Sequence, residues 1–208
     1  MKTTLITTFT SITLALITNG AFAQQHKIIY AGSLLASEDQ KVKTEQTLVI
    51  TDNTITAIKN GYLTKAELNL PDADIINLKN QFVMPGLIDM HVHVTFERDS
   101  KANPHRWATE YDADYALRSI KYLQRTLDAG FTSVRDLGSD HKVIFPLKRA
   151  IERNDINGPR IFAAGNTISP TGGHADMHGY RKDITDAVTG GIGICNGADD
   201  CSRAVREV

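Results

Sequence analysis

Two histidines two residues apart, His91 and His93, stand at the end of an apolar run that follows the Pro85-Gly86 turn. Side chains at positions i and i+2 of a β-strand point to the same face, so both imidazoles could reach one point in space. Imidazole is the commonest metal ligand in proteins and suits zinc, iron and nickel. The spacing therefore predicts half of a metal coordination shell. A pair of hydrogen-bonded core histidines is the alternative interpretation.

Other candidate site residues lie around this pair. Asp89 alternates onto the same face, deeper in the strand, and is expected to support the site rather than bind metal directly. Trp107 and His105, in the segment after His93, could wall a substrate pocket or be ordinary loop residues.

Three further candidates follow later strands. Asp136 ends the second predicted strand of this region and is expected to be a structural partner for neighbouring backbone or arginine groups. His174 ends a Thr-Gly-Gly-His loop, and glycines let a ligand approach the backbone closely. Contact of His174 with substrate and an ordinary polar-loop role both stay open. His178, four residues on, is a weaker candidate for the same contact.

The sequence contains two cysteines, Cys195 and Cys201. A close pair in an oxidising compartment is more often bridged than reactive. A zinc site is disfavoured, because zinc-binding cysteines are usually two to four residues apart and here no second pair exists. We predict a disulfide, with two free structural thiols as the alternative.

Residues 1–23 have the pattern of a secretory signal peptide. Lys2 precedes an apolar stretch, and Ala21-Phe22-Ala23 forms a small-residue cleavage site. The apolar stretch is too short and too rich in threonine to span a bilayer core of about 30 Å. We expect a periplasmic or secreted mature protein that leaves the membrane after cleavage. A buried N-terminal helix is the alternative.

The charge is nearly balanced, with 23 basic and 24 acidic residues, and 41% of residues are hydrophobic. This is ordinary globular composition, so nothing in it predicts a nucleic-acid partner.

Residues 24–80 are predicted to form a small β-unit. It comprises a first strand, a hairpin that turns at Asp52-Asn53, and a short strand followed by a polar turn at 79–81. A unit of about 55 residues is marginal for an independent core, so it is expected to pack on something else.

Residues 81–208 alternate strands with helices long enough to cross over a sheet. This order favours βαβ units and a parallel sheet, hence an α/β fold. A (β/α)8 TIM barrel needs about 250 residues, and only three strand–helix units fit here, so an incomplete barrel is predicted. The predicted strands are 131–137 and 160–165, and the helices are 112–128, 143–153 and 198–208.

The run 83–93, Val-Met-Pro-Gly-Leu-Ile-Asp-Met-His-Val-His, resembles the first barrel strand of the amidohydrolase superfamily. The small β-unit resembles the N-terminal part of that superfamily's composite β-sandwich domain. Segments 129–136 and 169–174 look like the second and third strand regions of one subgroup, and 200–207 resembles the region before the fourth. That subgroup contains imidazolonepropionase-like proteins and metal-dependent Xaa-Pro and Xaa-Arg dipeptidases.

The resemblance implies a zinc or other divalent-metal hydrolase of C–N bonds in small molecules or dipeptides, with one or two ions and possible homo-oligomers. In the family, later strands supply a bridging Lys or Glu, two more His and a general-base Asp. Only His91 and His93 carry over, and we expect an N-terminal fragment that is inactive alone. A mononuclear deaminase or cyclic amidase and a non-catalytic binding or scaffold remnant are the alternatives.

Overall fold

A computed structural model describes residues 24–37, 41–99, 101–189 and 193–207. The predicted signal peptide at 1–23 lies outside the described residues. The chain divides into two compact units between Pro85 and Gly86. No helix in the described ranges is long and apolar enough to cross a membrane.

The first unit contains a four-stranded sheet in the order β3-β2-β1-β4. Strand β1 pairs antiparallel with β2 and parallel with β4, and β2 pairs antiparallel with β3. The predicted hairpin turn is present, with Asp52 in the left-handed region at a φ of 53°. The strands are β1 (His26–Leu34), β2 (Lys43–Thr51), β3 (Thr54–Asn60) and β4 (Asp74–Val83).

The predicted polar turn at 79–81 was wrong, because β4 runs through it to Val83. The ladder with β1 shifts register beside Gly32 and then resumes at the pairs Ser33–Phe82 and Leu34–Val83. A Cβ atom on Gly32 would lie 2.0 Å from the carbonyl oxygen of Lys79. The missing side chain therefore lets β4 bulge against β1 and continue.

The second unit contains a parallel sheet in the order β5-β6-β7. The predicted alternation of strands and helices in a mixed α/β fold is confirmed. Helix α2 has the predicted bounds, whereas α1 and α4 are short helices that were not predicted. The strands are β5 (Leu87–Val92), β6 (Phe131–Asp136) and β7 (Arg160–Ala163). The helices are α1 (Arg106–Thr109), α2 (Asp112–Asp128), α3 (His141–Glu152), α4 (Lys182–Thr189) and α5 (Ala198–Glu207).

Helices α2 and α3 cover this parallel sheet around one apolar core. Leu123 of α2, Val134 of β6 and Ile144 of α3 are fully buried in it. Helix α3 begins two residues earlier than predicted, because the side chain of Asp140 accepts a hydrogen bond from the N–H of Lys142 and caps it. The carboxyl ends of the strands and the segments after them are thereby fixed relative to one another.

The segment before α5 is attached to the segment after β7. The N–H of Cys195 donates to the carbonyl of Ser169, and a parallel bridge joins Ser169 to Ile194. Cys195 and Cys201 form a disulfide with a Cα–Cα distance of 4.8 Å. The disulfide ties this bridged segment to the first turn of α5.

Candidate metal centre

The two histidines lie where β5 ends, with His91 in the strand and His93 just after its last residue. Their ring centroids are 5.5 Å apart and the ring planes are at 70°. Two imidazoles that bind one zinc ion at about 2.0–2.1 Å, near tetrahedral angles, have centroids about 5 Å apart. The pair is therefore spaced so that both rings can reach one ion.

Within the described residues, no group forms a hydrogen bond with a ring nitrogen of His91 or His93. His93 Nδ1 is buried without a hydrogen-bond partner in the described residues. An unpaired buried polar atom costs about 1–3 kcal/mol, so an arrangement that leaves it unpaired points to another partner. His91 is exposed. Neither ring fits the alternative of a hydrogen-bonded core histidine.

The described residues bring together only two candidate metal ligands, His91 and His93. No group of three or more His, Cys, Asp or Glu side chains within the described ranges could hold a metal ion. Catalytic zinc sites use three protein ligands and structural sites four. His91 and His93 fit a metal as part of a ligand set, not as a complete one.

The ring of His93 is held between Phe96 and Gly138. Phe96 stacks on the imidazole with centroids 5.5 Å apart and planes at 27°. In the segment after β6, a Cβ atom on Gly138 would lie 3.1 Å from His93 Cε1 and 2.2 Å from Thr167 Oγ1. The segments after all three strands therefore approach one another around Gly138.

Replacing Gly138 with alanine is expected to displace Thr167 and the His93 ring, and to lower the free energy of unfolding by about 1–3 kcal/mol through overpacking. Denaturant unfolding measures the loss, and the His93 ring signals in an NMR spectrum report the displacement. The double variant Gly138→Ala/Thr167→Ala removes the closest clashing atom and should recover most of the loss. Equal stability of the wild type and the single variant would contradict the close approach.

Asp136 is fully buried at the end of β6, and its carboxylate organises the loops on either side. Its Oδ2 accepts the N–H of Val94 at 2.8 Å and the hydroxyl of Ser139 at 2.8 Å, and its Oδ1 accepts the N–H of Gly138 at 3.1 Å. Thr95 donates its hydroxyl to Ser139 Oγ at 2.9 Å. Asp136 thus positions the residue after His93 and has the geometry of a structural partner for backbone groups.

Asp89 acts on His91 through the backbone. Its Oδ1 accepts the N–H of His91 at 3.0 Å, and the side chain is half-buried. A cavity of about 370 Å³ opens beside it, with His93, Phe96, Tyr122 and Phe131 among its walls. One wall of this cavity is therefore the candidate metal-binding histidine.

His174 and His178 lie in the turns after β7, and both are exposed. His178 Nε2 donates to the carbonyl of Gly173 at 3.0 Å. Asp176 accepts the N–H of Gly172 at 2.8 Å, and this backbone hydrogen bond holds the pKa of Asp176 below its usual value. In the part of the chain that the structure describes, no hydrogen bond or ring contact joins His174 or His178 to His91 or His93.

His141 and Asn166 stand outside the residues predicted from sequence. Asn166 Oδ1 lies 2.5 Å from His141 Nδ1 and also accepts the N–H of His141 at 2.9 Å. His141 opens α3 after β6, and Asn166 follows β7. The only sequence signal was that both are polar residues after the carboxyl end of a strand, where barrel sites are built.

The comparisons with known proteins agree with this architecture. The sequence profile of the amidohydrolase family matches residues 82–208. The chain belongs to the amidohydrolase family. The resemblance predicted from the 83–93 run is confirmed.

Solved amidohydrolase structures share the fold of this chain. A Xaa-Pro dipeptidase with methionine bound in its active site is 33% identical, with a TM-score of 0.76, and the match covers 88% of this chain and 44% of that chain. A prolidase in complex with N-methylphosphonate-L-proline is 33% identical with a TM-score of 0.70, over 88% and 43% of the two chains.

Ochratoxinase from Aspergillus niger is a curated relative. It is 26% identical over 198 residues, which cover 86% of this chain and 38% of the relative. Its crystal structure matches with a TM-score of 0.73. The chain thus spans less than half the length of these amidohydrolases.

Proposed function

We propose that this protein provides part of the active site of a metal-dependent hydrolase that cleaves C–N bonds in dipeptides or similar small amides. The observation that carries the proposal is the His91–His93 pair at the end of β5, with a buried ring nitrogen that no described residue engages. The Xaa-Pro dipeptidase and prolidase among its structural relatives support this reaction class.

His91 and His93 would hold zinc or another divalent ion, as one or two ions in a complete site. A bound metal supplies an activated water and polarises the carbonyl oxygen of the scissile bond. The described residues do the positioning: Asp89 holds the backbone of His91, Phe96 packs on the ring of His93, and Asp136 fixes the next residue.

The architecture proposed for the site is the first part of a (β/α)8 barrel over residues 81–208, preceded by part of a β-sandwich domain over 24–80. The parallel order β5-β6-β7 with α2 and α3 on one face supports the barrel. The four-stranded sheet of the first unit supports the sandwich. In such a barrel, His91, His93 and the loop of His174 lie on the same face, so we retain His174, and less strongly His178, as candidate substrate contacts.

A secreted or periplasmic location is part of the proposal. The signal-like pattern at 1–23 and the disulfide between Cys195 and Cys201 support it, because disulfides persist in oxidising compartments. Homo-oligomers stay possible partners alongside the small-molecule substrate.

The incomplete donor set also favours one rival. A non-catalytic binding or scaffold protein needs no more than the two histidines that the described residues supply. A mononuclear deaminase or cyclic amidase of the same family is the rival within enzymes. The two classes of rival differ in product: a deaminase releases ammonia, whereas a scaffold releases nothing.

The test is hydrolysis of prolyl and arginyl dipeptides, measured on this chain and on any longer product of its gene, with zinc and with a chelator. We expect no turnover by this chain alone, because its described residues supply two ligands where catalytic zinc uses three. We expect zinc-dependent release of amino acids once further ligands are present. Turnover that survives chelation would overturn the proposal, and release of ammonia without dipeptide cleavage would favour the deaminase.

A further inference from the structure

The loops that follow β5 and β7 touch each other through aromatic rings. Trp107 of α1 and Tyr180 have ring centroids 4.9 Å apart and planes at 70°, and the rings of His105 and Tyr180 are 6.3 Å apart with planes at 82°. Aromatic pairs in edge-to-face contact at such distances stabilise an arrangement by about 0.5–1.5 kcal/mol. These three rings form an aromatic corner.

The two segments that form the aromatic corner begin at the same edge of the sheet. Strand β6 lies between β5 and β7, and both loops leave from the carboxyl ends of their strands. This is the edge of the sheet at which His91 and His93 lie, and at which parallel α/β folds bind their ligands.

The geometry of the corner suits a ring-shaped ligand. Two rings near a right angle offer one face for stacking and one edge for a perpendicular contact, which are the two arrangements that aromatic groups prefer. Tyr180 stays 40% exposed although it contacts two other rings. A flat apolar group can therefore reach the corner without displacing the contact that forms it.

The charges beside the corner argue against a cationic ligand. In the sequence, Arg106 lies between His105 and Trp107, and Arg181 and Lys182 follow Tyr180. Each is paired with a carboxylate, respectively of Glu110, Asp183 and Asp186. These three ion pairs therefore supply no net negative charge to attract a cation, and we take an uncharged group as the ligand.

We infer that the aromatic corner of Trp107, Tyr180 and His105 is a binding subsite for an uncharged aromatic side chain of the substrate. The inference rests on the proposed function, because it places the side chain of a cleaved amide at the edge of the sheet that carries the metal-binding pair. It assigns part of the specificity to the loops after β5 and β7.

Trp107 is the sole tryptophan in the sequence, so its fluorescence reports directly on the corner. The full chain, without added metal, is titrated with N-acetyl-L-phenylalaninamide. We expect a saturable change in emission, and no saturable change with N-acetyl-L-alaninamide. Tyr180→Ala should weaken the binding about tenfold because it removes one wall of the corner, whereas Tyr180→Phe should keep it within about twofold.

Phe162→Ala provides the matched control, since Phe162 is an aromatic side chain of the same unit that is 55% exposed and lies outside the corner. Its affinity should equal that of the wild type. Circular dichroism tests whether Tyr180→Ala is folded. If it is unfolded, the difference in binding of the phenylalanine and alanine amides to the wild type still tests the inference. Absence of saturation, equal response to both amides, or tighter binding of N-acetyl-L-lysinamide would overturn the inference. The assay involves no turnover and no metal, so its failure is distinct from failure of the proposed hydrolysis.

Discussion

Replacing Asp136 with alanine is expected to lower the free energy of unfolding by about 3 kcal/mol or more. The carboxylate is fully buried and accepts hydrogen bonds from Val94, Gly138 and Ser139. Removing it leaves two backbone N–H groups and one hydroxyl without their acceptor. The side chain also fills space at the junction of two loops, and its loss would leave a cavity there.

Denaturant unfolding of the full chain, followed by the fluorescence of Trp107, measures this loss. Asp140→Ala is the matched control, because Asp140 is an exposed aspartate four residues away that caps α3. Loss of a helix cap costs about 1 kcal/mol. The loss of stability for Asp136→Asn should fall between those of the two alanine variants. The amide keeps one oxygen as an acceptor, but its NH2 group would face a group that donates a hydrogen bond to the carboxylate. A loss for Asp136→Ala no greater than that of Asp140→Ala would contradict the role assigned to the buried carboxylate.

Replacing His91 or His93 with alanine is expected to weaken zinc binding by at least about tenfold in each case. Removal of groups that merely support a metal ligand already costs about 10–100-fold in affinity, and a ligand should cost at least as much. Because a ligand bound only to the native state stabilises it, the zinc-induced rise in Tm should shrink in both variants. Calorimetric titration gives the affinity and a thermal melt gives the shift.

His26→Ala is the control for the zinc experiment, because His26 is the imidazole of β1 whose Nδ1 contacts Thr51 in the first unit. It should bind zinc as the wild type does. The assignment fails if His26→Ala loses as much affinity as the other two variants. It also fails if the variant without both His91 and His93 binds zinc with unchanged affinity.

Much of the second unit could be predicted, because its elements carry strong local patterns. The apolar positions of α2 recur at helical spacing and Gly130 follows, so its predicted bounds match those observed. The continuation of β4 through 79–81 could not be predicted, since it depends on Gly32 in a strand distant in sequence. The short helix α1, of four residues, has too few residues for a periodic signal.

The candidate site likewise has features that local sequence pattern predicts and features that it does not. The pairing of His91 with His93 follows from two-residue spacing, and a structural role for Asp136 follows from its place at a strand end. The stack of Phe96 on His93 and the hydrogen bond between His141 and Asn166 depend on how loops fold back, which local pattern does not encode. Reading the residues after each strand as one set would have brought His141 and Asn166 into consideration.

The hydrogen bonds of Asp136 also bear on how a metal ion would be acquired. The backbone after His93 is tied to the loop after β6 by Val94, Ser139 and Thr95, and the imidazole already rests between Phe96 and Gly138. His93 is thus preorganised, so capture of an ion needs little further ordering of this side chain. Exposed His91 keeps more rotational freedom, which makes it the ligand whose immobilisation opposes binding. Binding of an ion would therefore require more ordering of His91 than of His93.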